Sequence, residues 1–151
     1  MQISTVCYIK NQNDLLMLYR NKKEDDVNRG KWIGVGGKLE KGEAPEEGVR
    51  REVKEETGLE VFNYRLIGLL TFKYEQKETE YIFVYTAETK ERDFIPCDEG
   101  ETAWIPLEKT EDLALWEGDR LFLPYLKEER EYFSLKLHYS ADDELLSAEF
   151  F

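Results

Sequence analysis

The tightest constraint on this chain is a spacing. Gly37 is followed after five residues by Glu43, and seven more lead to Arg51-Glu52-Val53, Lys54, Glu55-Glu56, Thr57, Gly58 and Leu59. The stretch "GGKLEKGEAPEEGVRREVKEETGLE" crowds glutamates between glycines, where like charges repel. Pro45 suits the first turn of a helix and Gly58 its C-terminal cap, so the segment from Pro45 to Thr57 is predicted to be helical. With about 100° of turn per residue, Glu55 lies about 60° to one side of Glu52 and Glu56 about 40° to the other, so the three carboxylates share a face. Val49 and Val53 line a different side, suited to packing on a sheet. On its own, E-x-x-E-E reads most simply as a solvated acidic face. Three clustered carboxylates also make a seat for a hard cation such as Mg²⁺, which takes oxygen ligands, keeps waters and draws phosphate oxygens from a substrate.

The rest of the chain limits what such a site can serve. At 151 residues the chain fits one domain, residues 1–151, with room for a sizeable core. It is 41% hydrophobic and 13% aromatic, the composition of a globular protein. No apolar run approaches the roughly 18 residues of a membrane span, and the N-terminus lacks the basic start of a secretory signal. A cytoplasmic protein with no membrane partner is expected, with Cys7 and Cys97 as reduced thiols. A formal charge of -12 argues against binding a nucleic acid polymer, which needs basic surface. A small anionic ligand bridged by a divalent cation is compatible with it.

Strands are expected from Ile3 to Ile9 and from Leu15 to Tyr19, then a charged, mobile loop over residues 21–30. A short apolar stretch runs from Trp32 to Val35, closed by Gly36 and Gly37. Val61 to Tyr74 and Tyr81 to Thr86 read as a long hairpin, and Ala103 to Pro106 as a short strand. A second helix is expected from Asp119 to Arg130, burying Leu121, Leu123, Tyr125 and Leu126. Strands from Tyr132 to Tyr139 and Leu145 to Phe150 end the chain. This order suggests an α/β sandwich around a mixed sheet.

The segment from Gly37 to Leu59 resembles the Nudix box, G-x5-E-x7-R-E-U-x-E-E-x-G-U with U bulky aliphatic, at all nine specified positions. Its seven fixed letters match by chance on the order of once in 10⁸ placements at typical residue usage. The resemblance implies an α/β/α sandwich and Mg²⁺-dependent hydrolysis, with Mn²⁺ as a substitute, of a nucleoside diphosphate linked to another group. By position, Glu52, Glu55 and Glu56 correspond to the metal-holding carboxylates and Arg51 to the arginine that orients one of them. Glu52, Arg51 and Glu55 are the expected catalytic set. Gly36 and Gly37 let the backbone approach the cation, and Glu43 braces the loop. Metal ions would neutralise diphosphate charge and lower the pKa of a bound water, and a carboxylate would take its proton.

Beyond the box, "GKWIGVGGKLEKGE", "WEGDRLFLPYL" and "FSLKLHYSADDELLSAEFF" resemble the MutT/MutX group of that family, the 8-oxo-dGTP diphosphatases. This implies a small nucleoside triphosphate as substrate, a monophosphate and diphosphate as products, a role in sanitising the nucleotide pool, and a monomer or homodimer. Trp116 and Asp119 correspond to purine-pocket residues, although core packing for Trp116 and an N-cap role for Asp119 fit as well. Glu99, or secondarily Glu101, corresponds to an additional acid near the metal, against the alternative of loop surface charge. Arg20 and Lys38 are phosphate-binding candidates or plain exposed cations. Trp32 reads as core, and His138 as a structural strand residue. The group's mammalian member has a base-binding asparagine where this chain has Ile33, whose side chain cannot hydrogen-bond. It also has more acids around the position of Gly118. Base reading must therefore use other groups or be less selective. Three alternatives remain at this point. One is a Nudix hydrolase for ADP-ribose, dinucleoside polyphosphates or ordinary NTPs. The second is a non-catalytic nucleotide-binding module. The third is an isoprenoid diphosphate isomerase, which would want a cysteine and histidine set.

Overall fold

The computed structural model describes residues 1–127 and 132–151. Among the described residues nine strands form one mixed sheet: β1 (Gln2–Asn11), β2 (Asp14–Arg20), β3 (Trp32–Ile33), β4 (Val35–Lys38), β5 (Phe62–Tyr74), β6 (Glu80–Glu88), β7 (Gly100–Pro106), β8 (Phe133–Tyr139) and β9 (Leu145–Phe150). The spatial order is β3-β2-β1-β6-β5-β8-β9, with β4 beside β1 and β7 beside β2. β1 and β6 are parallel, as are β5 and β8, and the other pairs are antiparallel.

Side-chain alternation sends each strand to two cores. On one face Cys7, Ile9, Leu16, Val35, Tyr85 and Ala87 pack with Val49 and Val53 of helix α1 (Pro45–Thr57). On the other, Tyr8, Leu15, Met17, Leu70, Val84, Leu135 and Leu137 pack against Trp116, Phe122, Leu123 and Leu126. The chain thus forms the layered α/β arrangement expected, dominated by strands. The two cysteines are buried and free.

Helix α1 is bounded as its sequence suggests. Pro45 sits in the first turn, and the Ala44 amide donates to the Glu47 carboxylate at 3.0 Å. At the far end Gly58 adopts φ 76° and ψ -1°, and its amide donates to the Lys54 carbonyl at 3.0 Å. That left-handed conformation costs a glycine nothing and most other residues a good deal.

Two local expectations need correction. The stretch at 32–35 does not stop at the glycines. It splits into β3, paired with β2, and β4, paired with β1 through Gly36 and Gly37 to Lys38. The helix expected from Asp119 does not form as one element. Glu117–Leu121 is a 3-10 turn, and a short helix α2 restarts at Leu123–Lys127. Pro124 has no amide hydrogen and would break a helix running through it, but fits the first turn of a new one. The break turns Leu121 outward, 40% exposed, and buries Phe122 in its place. The expected end at residues 128–130 lies outside the described residues.

Candidate active site

β4 delivers the glycines to the carboxylates. It pairs with β1 so that Thr5 lies opposite Gly37 and Val6 opposite Gly36, and α1 packs over this region. A Cβ on Gly37 would stand only 2.6 Å from the Glu52 carboxylate, and one on Gly36 would collide with the Thr5 backbone. Glycine is needed here because backbone and carboxylate share the same space.

Arg51 organises the loop–helix unit. Its guanidinium donates to both Glu43 oxygens, at 2.7 and 2.9 Å, to Glu52 Oε1 at 2.8 Å and to the Lys38 carbonyl at 3.1 Å. This fork holds the Glu43 carboxyl down at about 2 and raises the guanidinium's own pKa further. Glu43 also accepts from the Glu40 amide at 2.9 Å, so it braces the loop from beneath.

Glu56 has the most perturbed environment of the three helix carboxylates. Burial, then the negative charges of Glu99 and Glu52, push its pKa up to about 9. Its Oε2 is buried and has no hydrogen-bond partner. Glu55 behaves differently: its side chain is 60% exposed, reaches Arg51 at 3.5 Å and does not line the cavity. Glu99 lines the cavity and meets Arg20 at 3.3 Å, whereas Glu101 lies exposed on β7.

Glu52, Glu56 and Glu99 form one end of a cavity of about 770 Å³. Gly36, Gly37, Lys38, Arg51 and Arg20 line the same end, while the apolar side chains Tyr8, Ile33, Leu70, Phe72 and Trp116 line another part of the cavity together with Asp119 and Asn28. The arrangement suits a ligand with an anionic, cation-bridged end and a flat, largely apolar end.

Asp119 caps nothing. It lies inside the 3-10 turn whose cap position is Trp116, and no side chain caps that turn. Its residual exposure is to the cavity, and burial pushes its pKa up to about 7. Trp116 is 3% exposed. Tyr139, Phe72 and Tyr74 meet its ring edgewise, and the Lys31 ammonium lies 4.1 Å from its centroid. It is a wall of the cavity embedded in the core, with Lys31 over the ring. Trp32 packs at the edge of the same core, and His138 sits in β8 away from the cavity.

The loop at 21–30, expected to be mobile, is instead tied to the fold. Asp26 accepts from Arg20 Nε at 2.8 Å and from the Asn28 amide at 3.1 Å, and the Gly30 amide donates to the Arg20 carbonyl at 2.8 Å. Asn28 Oδ1 accepts the Trp116 indole N–H at 2.9 Å. Asp26, Asn28, Tyr8 and Phe72 all line the cavity and were missed by sequence reasoning. Asp26 and Asn28 carried one usable signal, the tendency of Asp and Asn side chains to bond the backbone two residues on. Nothing in the sequence pairs Asn28 with Trp116.

Among the described residues, no three acidic, histidine or cysteine side chains already form a closed cation cage. The donor set nonetheless fits a divalent cation of the Mg²⁺ kind. A buried carboxylate oxygen lacks a partner, two more acids lie close enough to raise its pKa, and glycine backbone stands beside them.

The NUDIX domain model matches residues 1–126, and the chain belongs to the Nudix family. It is 30% identical over 111 residues to the oxidized purine nucleoside triphosphate hydrolase of Danio rerio, covering 73% of this chain and 71% of that one. It is 27% identical over 152 residues to the Nudix hydrolase YvcI of Bacillus subtilis, covering 97% of this chain and 92% of that one. The crystal structure of a MutT protein from Bacillus halodurans superposes with a TM-score of 0.88 at 28% identity, over 99% of this chain and 97% of that one. The chain is therefore a MutT-like Nudix hydrolase by fold and sequence. Hydrolases of this family act on small nucleotide substrates and generally use divalent metals. No helix among the described residues is long and apolar enough to cross a membrane.

Proposed function

We propose that this protein hydrolyses purine nucleoside triphosphates, 8-oxo-dGTP among them, to the monophosphate and diphosphate with Mg²⁺, and so sanitises the cytoplasmic nucleotide pool. The observation that carries the reading is the continuity of one cavity from the Glu52, Glu56 and Glu99 carboxylates to the apolar walls at Ile33, Phe72 and Trp116. A triphosphate spans such a cavity with its charged end at the acids and its base between the walls.

In this reading Glu52, Glu56 and Glu99, with backbone carbonyls at Gly36 and Gly37, would hold the metal. When bound, Mg²⁺ neutralises phosphate charge and supplies a water of lowered pKa. Arg20, held by Asp26, and Lys38 bind the phosphates. Arg51 holds Glu52 in the orientation from which a carboxylate accepts a proton. Glu55 stays at the rim and steadies Arg51. The apolar walls exclude water from the base, and Asp119 faces the base edge.

The test is a screen of the purified protein with Mg²⁺ on oxidised and ordinary NTPs and dNTPs, ADP-ribose and dinucleoside polyphosphates, with products identified. Preference for 8-oxo-dGTP over dGTP is expected. Equal rates on the two would remove the sanitising role, and turnover of ADP-ribose alone would remove the triphosphate reading.

A further inference from the structure

Ile33 leaves the apolar end of the cavity without a hydrogen-bonding side chain at that position, yet the structure supplies one from elsewhere. Asn28 lines the cavity, and its Oδ1 receives the Trp116 indole N–H at 2.9 Å. An indole nitrogen can only donate, so the amide must present its oxygen to Trp116. The amide plane is thereby settled, and Nδ2, with two hydrogens to donate, becomes the free end. Among the described residues Nδ2 has no acceptor.

Asn28 is also held along its backbone. Its amide donates to Asp26 Oδ1 at 3.1 Å, and its carbonyl accepts from the Lys31 amide at 3.0 Å. The same Asp26 carboxylate holds Arg20 through Oδ2 at 2.8 Å. One acid thus positions a cation at the phosphate end and an amide at the base end. A donor fixed from three sides meets a ligand acceptor with little further loss of freedom.

We infer that Asn28 is a specificity-determining residue: Nδ2 donates to a carbonyl oxygen on the purine edge, so the site prefers oxopurine over 6-aminopurine nucleotides. The inference rests on the nucleoside triphosphatase reading above. Guanine offers O6, and 8-oxoguanine offers O6 and O8. Adenine places an amino group at position 6 and leaves the Asn28 donor facing another donor. The shared chemistry is a base-edge carbonyl.

Asn28→Asp tests it, because Oδ1 can still accept from Trp116 while the Nδ2 donor becomes an acceptor. kcat/KM is measured on dGTP, 8-oxo-dGTP and dATP. Binding of dGMP, 8-oxo-dGMP and dAMP without metal is followed by calorimetry, and thermal melting checks folding. The expected result is a fall of about tenfold or more in preference for the oxopurines over the adenine nucleotide, in turnover and binding alike. A fall shared by dGTP and 8-oxo-dGTP assigns the contact to O6, and a fall confined to 8-oxo-dGTP assigns it to O8. Asn28→Ala, which removes donor and acceptor together, is expected to lose the same preference. Unchanged ratios in folded Asn28→Asp and Asn28→Ala proteins would overturn the inference. If the parent protein hydrolyses no nucleoside triphosphate, the functional reading fails first.

Discussion

Arg51 grips Glu43 with two parallel hydrogen bonds, at 2.7 and 2.9 Å, and the same guanidinium reaches Glu52. A loop acid and a helix acid that would repel each other are tied through one cation. Arginine's planar fork makes this possible where lysine's point charge would not.

The Glu43 pairing should appear in acid. Its carboxyl is held at about 2, below its ordinary 4.5, chiefly by hydrogen bonds from Arg51. A depressed carboxyl stabilises the fold above the unfolded pKa and loses that contribution as pH falls through the folded one. The parent melting temperature should therefore drop more steeply than that of Glu43→Gln between pH 4.5 and about 2. Parallel curves would show that the fork does not stabilise the fold.

Glu55 and Glu56, adjacent in sequence, should separate in function. Glu56 is half-buried, with a buried oxygen that has no partner, while Glu55 is largely exposed outside the cavity. Glu56→Gln should lower kcat/KM by about 100-fold or more and weaken metal activation, and Glu55→Gln should cost about tenfold or less. Metal titration by activity decides it, and equal losses would place Glu55 in the site.

Trp116 is embedded among three aromatic rings. Trp116→Ala should destabilise the protein by about 3–5 kcal/mol through the cavity it leaves. Trp116→Phe keeps most of the packing but leaves Asn28 Oδ1 without its donor, so it should disturb base preference more than stability. Urea unfolding and substrate ratios on both variants separate these effects.

Asp119 is the opposite case from Glu43. Burial raises its carboxyl from 3.8 to about 7, so the folded state keeps a proton that the unfolded chain releases. Stability is full below the unfolded pKa and declines as pH rises through the folded one. Asp119→Asn should flatten that decline and be more stable than the parent at about pH 8, by on the order of 4 kcal/mol. Asp119→Ala should narrow the gap between 8-oxo-dGTP and dGTP, whereas Glu52→Gln slows both alike. Urea unfolding across pH and kcat/KM on both nucleotides provide the checks, and an unchanged substrate ratio in Asp119→Ala would take the carboxyl off the base edge.

What the sequence determined by itself was local and periodic. Pro45 and Gly58 bounded α1, the spacing of Val49 and Val53 set its buried side, and the run from Gly37 to Leu59 carried the family. Each depends on neighbours within a turn or two, where backbone geometry alone relates positions. Even there, the apolar spacing after Asp119 points to a continuous helix, which Pro124 breaks. Tertiary structure decided the rest. The angular arithmetic put Glu52, Glu55 and Glu56 on one face, but only the packing of α1 against β4 and the loop before β7 sends Glu56 inward and leaves Glu55 outside. Asn28 meets Trp116 across 88 residues of sequence, and Arg20 meets Glu99 across the β2–β7 pairing. Such contacts are set by sheet order and by which side chains the cores have room to bury. A linear pattern does not carry that information.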